Sequence, residues 1–352
     1  EWKLVLGLVR GIRTDQVQDS LPTNAVAPLL RQLHRTALRN EAILLEARPL
    51  SVALSRMVAN SASILPISDI APIAAALGFM GINSIDVYAA LWQRATSSEC
   101  EQEDVSLQKA LNGDIRSLRF LGPLVWAACV ATPLQLFKEQ LTVPEPIYVH
   151  KIFPLLAAAE PTASGLRRHH QFWRQIAGYL SASGHYSNEK AQLEKWLCIE
   201  KSIFFSDRRE AQSRVIAAWQ SRLAERGFTS VVDGGKSLDM LRVQKSMGLE
   251  ASRDPKAGDE YLSIVIWVKD ALLLKAAGED PSASAGGAHV RHCCLNGFEA
   301  SQLRCLEASG GGQVVLLPDD ASEKEVLLAA DQFIASTLPS SEPAGDTEDE
   351  SA

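Results

Sequence analysis

The 352-residue chain is short of several features that would decide its chemistry at once. It has six cysteines, Cys100, Cys129, Cys198, Cys293, Cys294 and Cys305, and none falls in a C-x-x-C pair. So few for this length make reduced thiols in an intracellular setting the simpler expectation. No apolar run approaches the roughly 20 residues that a membrane helix requires. A candidate such as "FLGPLVWAACVA" stops well short, and no membrane span is expected. G-x-x-x-x-G-K-[ST], G-x-S-x-G and H-E-x-x-H are all missing, which removes the P-loop, hydrolase and zincin routes to catalysis. "DGGK" (233–236) and "SGGG" (309–312) read as short turns, because a phosphate loop needs a strand before it and a helix after it. The chain opens on Glu1 rather than Met, so its first residues cannot report a compartment.

The net charge of -7 is unevenly spread. Residues 1–150 hold 13 basic and 14 acidic side chains, 151–245 hold 15 and 9, 246–339 hold 7 and 14, and the tail from 340 has five acids and no base. One basic region between neutral and acidic neighbours leaves a polyanion partner open.

The first two-thirds reads as helices. "PLLRQLHRTALRNEAILLEAR" from Pro28, "PIAAALGFMGINSIDVYAALWQR" from Pro72 and "PLVWAACVATPLQLFKEQL" from Pro123 each give a proline, an apolar helix, a short break and a second helix. The starts lie 44 and 51 residues apart, with a weaker echo at Pro154. Stacked helical hairpins with an extended surface suited to a long partner are expected; the alternative is an ordinary irregular helical domain.

From about residue 246 the pattern changes. "YLSIVIWV" (261–268) is a buried-strand run, and "ALLLKAA" (271–277) is expected to pair with it across a tight turn at Lys269-Asp270. A Gly/Ser/Pro loop, a helix over "GFEASQLRCLEA", the strand "QVVLLP" and a last helix capped by Ser322 and Glu325 follow. The expected organisation is a helical-repeat region at 1–245, an α/β domain at 246–338 and a disordered acidic tail at 339–352.

"GGAHVRHCCLNGFEASQLRC" invites a metal reading. His289, His292, Cys293 and Cys294 crowd into six positions, however, where neighbouring side chains cannot easily converge on a tetrahedral centre, and only Cys305 is available from further away. Cys293 and Cys294 read instead as small buried residues leading into the helix. No metal or other cofactor is expected.

The continuation "LNGFEASQLRCLEASGGGQVVLLPDD" resembles the RAP domain of mitochondrial and plastid RNA-binding proteins. Leu295-Asn296-Gly297, Leu303-Arg304, Leu306-Glu307, Gly310 and Val314-Val315-x-Leu317-Pro318 carry the likeness, which covers about residues 261–335. Upstream, "SDIAPIAAALGFMGINSIDVYAALWQRAT" is similar to the heptatricopeptide-type repeats that precede RAP domains in apicomplexan and FAST-kinase-like proteins. The resemblance implies a mainly α chain, a helical-hairpin array followed by a small α/β domain like a degenerate restriction nuclease. It also implies a role in mitochondrial (matrix) RNA metabolism: processing, stability or ribosome assembly, on rRNA or mRNA. A nuclease of that fold would need carboxylates on adjacent strands. This sequence offers Ile264, Val265, Ile266 and Trp267, then Leu272 to Leu274, with only Lys275 surviving and Asp270 in the turn. The acidic-Gly-Pro-x-His stretch common after the second strand is also missing, so no enzyme is expected.

An RNA surface needs cations for phosphates and flat groups for bases. "GLRRHHQFWRQ" supplies Arg167, Arg168, His170 and Arg174, and "SDRREAQSRVIAAWQSR" supplies Arg208, Arg209, Arg214 and Arg222. Phe172 and Trp173 read as packing residues. Arg291, His292 and Arg304 are the cations of the acidic C-terminal domain. The alternative is a protein-interaction or structural component of a mitochondrial ribonucleoprotein such as the mitoribosome.

Overall fold

The computed structural model describes residues 7, 9, 11, 21–40, 43–82, 84–97, 106, 108–109, 112–127, 172–176, 206–234, 239–244, 261–276, 296–308 and 312–338. These are mainly helical, with one small mixed sheet. The echo at Pro154, the histidine-cysteine cluster before Asn296 and the acidic tail lie outside the described residues.

The N-terminal unit comprises α1 (Thr23–Arg39), α2 (Ile43–Ser61), a 3-10 turn (Ala62–Ile64), α3 (Ile67–Phe79), α4 (Ile85–Thr96) and α5 (Ile115–Trp126). Helix α1 packs on α2 and α3, α2 on α4, and α3 on α4 and α5. Odd helices therefore neighbour odd ones, and even ones even, in two layers. The expected break after α3 is a Gly-terminated Schellman motif. Gly81 takes φ 69°, Ile82 N–H donates to the Leu77 carbonyl (2.9 Å) and Gly81 N–H to that of Gly78 (3.1 Å). Only glycine adopts that φ without strain.

The prolines expected to open the helices do not. Pro28, Pro72 and Pro123 lie inside α1, α3 and α5, past the first turn. The helices begin earlier, at Pro22, Pro66 and the Asp114 side chain, which accepts from Ser117 N–H. An internal proline forfeits a hydrogen bond, so these helices persist because tertiary burial of their apolar faces outweighs the loss. A signal visible in the sequence was missed here: Leu-Pro-x-x-x-x-Ala-Pro occurs at 21–28 and again at 65–72. At the same 44-residue offset Val26 matches Ile70, Leu33 matches Leu77, Ile43 matches Val87 and Ala47 matches Leu91, and all are buried.

The C-terminal unit comprises α6 (Ser206–Glu225), β1 (Ser230–Gly234), β2 (Asp239–Gln244), β3 (Tyr261–Lys269), α7 (Ala271–Ala276), α8 (Gly297–Ala308), β4 (Gln313–Pro318) and α9 (Glu323–Thr337). The sheet runs β1-β2-β3-β4, antiparallel in its first two pairings and parallel between β3 and β4. Ile264 and Ile266 pack with Trp219 and Leu223 of α6 and Phe333 of α9, while Val265 and Trp267, which alternate to the other side, are buried as well. The buried-strand reading of 261–268 thus holds, as does the capping box of Ser322 and Glu325.

Two expectations are corrected. "ALLLKAA" forms helix α7, not a strand. Both edges of β3 are already taken by β2 and β4, and Asp270 caps the helix by accepting from Leu273 N–H at 3.1 Å. The boundary drawn at 245 falls inside one sheet, since β2 pairs with β3 and α6 shares their core. Asp-Gly-Gly between two β-rich runs is a hairpin signal that would have found β1 and β2. Arg222, counted among the basic residues, makes a two-pronged ion pair with Asp331 of α9 (Nε–Oδ1 2.9 Å, Nη2–Oδ2 2.6 Å) and reaches Glu225 as well. The guanidinium holds the Asp331 carboxyl below its ordinary range, and this charge serves the fold.

His34 of α1 is half-buried, with its ring 4.9 Å from that of Phe79. Its Nε2 is out of solvent and has no partner among the described residues. Burial, with the nearby Arg35 charge, pushes its pKa down to about 4. A histidine depressed in the fold is protonated more readily when unfolded. Its penalty is therefore absent above about pH 6.5 and grows as pH falls toward 4, to roughly 2–3 kcal/mol. Urea unfolding at pH 7.5 and pH 4.5 should show His34→Phe losing less stability on acidification than the native chain by that margin.

Candidate nucleic-acid interface

Of the ten cationic residues expected to meet RNA, Arg167, Arg168, His170, Arg291 and His292 lie outside the described residues. Arg174 is half-buried on the helical stretch 172–176. Phe172 and Trp173 beside it are buried, as a packing role requires, and the Phe172 ring sits 5.0 Å from that of Trp126. Arg208, Arg209 and Arg214 lie on α6, and Arg304 lies on α8.

Helix α8 is where the resemblance motif does its structural work. Asn296 caps it by accepting from Phe298 N–H (2.9 Å) and Glu299 N–H (3.0 Å), and Glu299 accepts in return from Asn296 N–H (3.0 Å). This reciprocal cap orients Glu299 toward Lys269 at the end of β3, where the two form an ion pair of 2.5 Å. The lysine side chain is 0% exposed and the glutamate 15%, so the pair sits in the interior. Sequence reading missed Lys269 by assigning it to a turn; the signal was a lone cation closing an otherwise apolar strand.

The same helix is seated in the N-terminal core. Phe298 packs against Phe79 (5.6 Å, edge-on), Trp126 (5.0 Å) and Phe172 (5.8 Å). Gly297 abuts the backbone of Gly78, where a side chain would collide with that carbonyl group. Ser301 Oγ donates to Gln175 Oε1, which also accepts from Trp126 Nε1 at 2.7 Å. Residues 296–301 thus belong to the chain of one unit and the packing of both.

Two of the expected RNA residues lie on the stretches that form this seam. Arg174 adjoins Gln175, the partner of Ser301, and Arg304 lies one turn further along α8. Arg214 is not with them. It is exposed in a cleft beside Asp319, Asp320 and Glu323, on the α6–α9 side of the sheet, where carboxylates oppose a phosphate. With α7 a helix, the carboxylate question moves to β2 and β3. There β2 opens on Asp239, while β3 has no carboxylate and its one charged side chain is the paired Lys269. No cluster of three or more His, Cys, Asp or Glu suited to a metal occurs among the described residues, and no helix there is long and apolar enough to cross a membrane. Comparison with protein-family profiles, with characterised proteins and with solved structures finds no match to this chain.

Proposed function

We propose that the chain is a non-catalytic RNA-binding protein of mitochondrial RNA metabolism, acting in the matrix on rRNA or mRNA in processing, stability or ribosome assembly. A helical-hairpin array would hold the RNA and a RAP-like unit would close the array. The observation that carries the reading is the seam: Asn296 and Gly297 of the RAP-like motif open a helix whose Phe298 and Ser301 pack on the N-terminal core, so the helix that bears Arg304 joins the two units. The two-layer stacking of α1–α5 and the buried positions matching at a 44-residue offset support the repeat array. Helix, three-strand meander, helical crossover to a parallel strand and closing helix is the order a restriction-nuclease-like fold requires, and it supports the RAP-like part. The apolar β3 supports the absence of nuclease activity.

The test is binding of a fluorescein-labelled single-stranded RNA by the full chain at 50 and 200 mM salt. Arg174→Ser/Arg304→Ser should bind several-fold more weakly at low salt and lower the salt slope by about 0.7 per lost phosphate contact. Arg214→Ser should bind as the native chain does. Equal binding by both variants would remove the seam from the interface. No salt-dependent binding at all would favour the second reading, a protein-docking component of a mitochondrial ribonucleoprotein, which the acid-walled cleft supports.

A further inference from the structure

The cleft beside Arg214 has a place in the fold that α/β sheets use for ligands. Strands β3 and β4 are parallel neighbours, and α8 and α9 pack on opposite faces of them. Helix α7 follows β3 directly, and α8 pairs with Lys269 on one face, whereas after β4 the chain turns to α9, which packs with α6 on the other. Such a divergence opens a crevice beyond the carboxyl ends of the strands, the usual ligand position in open sheets. On the α6–α9 face of these strand ends lies a cleft of about 530 Å³, floored by Val268 and Pro318 and walled by Val215 and Ala218 of α6. That size takes a few amino-acid residues rather than a folded surface.

Its charges point to the occupant. Asp320 and Glu323 are exposed at the mouth and Arg214 is exposed on the α6 wall, and none of the three makes an ion pair among the described residues. Asp319 is already engaged, accepting from Ala271 N–H at 3.1 Å. Two uncommitted carboxylates against one guanidinium leave the cleft net acidic. An apolar trough with acidic lips suits a cation carried on an apolar body.

We propose that this cleft docks a short basic segment of a partner protein, with small apolar residues in the trough and a Lys or Arg on Asp320 and Glu323. Arg214 faces that cation and lowers affinity for it, which gives the site a signature of sign. The proposal does not rest on RNA binding at the seam.

The experiment is selection of a phage-displayed random heptapeptide library on the immobilised full chain, followed by fluorescence anisotropy with the best peptide. Selected peptides should be enriched in Lys or Arg next to Ala, Val or Leu. Asp320→Lys/Glu323→Lys, at exposed positions that leave the fold intact, should bind at least tenfold more weakly, and Ala218→Trp should do the same by filling the trough. Arg214→Glu should bind several-fold more tightly, while RNA binding measured on the same variant stays unchanged. Enrichment of acidic peptides, no enrichment, indifference to the charge-reversed variant, or weaker binding by Arg214→Glu would each overturn the proposal. Failure of the RNA experiment with success here, or the reverse, separates the two sites.

Discussion

Glu299→Leu is expected to cost about 3–5 kcal/mol in urea unfolding, because it strips the paired carboxylate from a lysine with no exposed surface. Roughly 1 kcal/mol of that belongs to the reciprocal cap, since Glu299 also accepts from Asn296 N–H. The informative variant is the double one. Lys269→Met/Glu299→Leu removes both charges from the interior, and buried pairs replaced by apolar residues of similar size are often neutral. It should recover all but about 1 kcal/mol of the loss. Tryptophan fluorescence follows the transition, since both cores bury tryptophan, Trp92, Trp126 and Trp173 in the N-terminal one and Trp219 in the C-terminal one. If the single variant is as stable as the native chain, or the double variant no better than the single, the pair does not hold α8 to the sheet.

Gly297→Ala carries the second large effect, and its sign is the test. On an exposed helix the exchange would stabilise by up to about 1 kcal/mol, because alanine is the better helix former. At this position the added Cβ would meet the Gly78 backbone, with its carbonyl carbon at 2.7 Å, and the Trp126 ring at 2.8 Å. Backbone does not yield as a flexible side chain does, so α8 must move away from α3, taking Phe298 from its aromatic neighbours. A loss of about 3 kcal/mol is expected, with a drop in near-ultraviolet circular dichroism as the cluster of Phe79, Trp126, Phe172 and Phe298 loosens. Stabilisation by Gly297→Ala would mean that α8 is not seated on Gly78. Gly122→Ala, whose Cβ would meet the Trp173 ring at 2.8 Å, serves as a comparison at a contact where a side chain rather than backbone must shift.

Much of the fold was legible from local pattern. The helical period exposed α3 and α4 and the glycine break between them, and the apolar run of β3 and the Ser322–Glu325 cap were readable where they stand. These features depend on residues close in sequence, so their physics is local. The misreadings share a cause. Of the six residues after Asp270, five are apolar or small and suit a strand or a helix equally, and the choice was made by β2 and β4 occupying the edges of β3. The internal prolines looked like helix starts because their cost is visible in sequence while the burial that offsets it is not.

The site divided in the same way. Residue type and net charge marked α6 and its surroundings as basic, and composition could go no further. Whether an arginine is available depends on what lies across from it: Asp331 engages Arg222, and the acidic lip of the cleft faces Arg214. The sequence by itself determined the helices and strands with strong periods, the caps, the charge asymmetry and the want of catalytic motifs. Only the tertiary structure decided that Lys269 is an interior group paired with Glu299, that Asn296 to Ser301 join two cores, and that the cations fall in separate places. Those outcomes rest on contacts between residues 30 to 126 positions apart, whose energies exist only once the chain has brought them together.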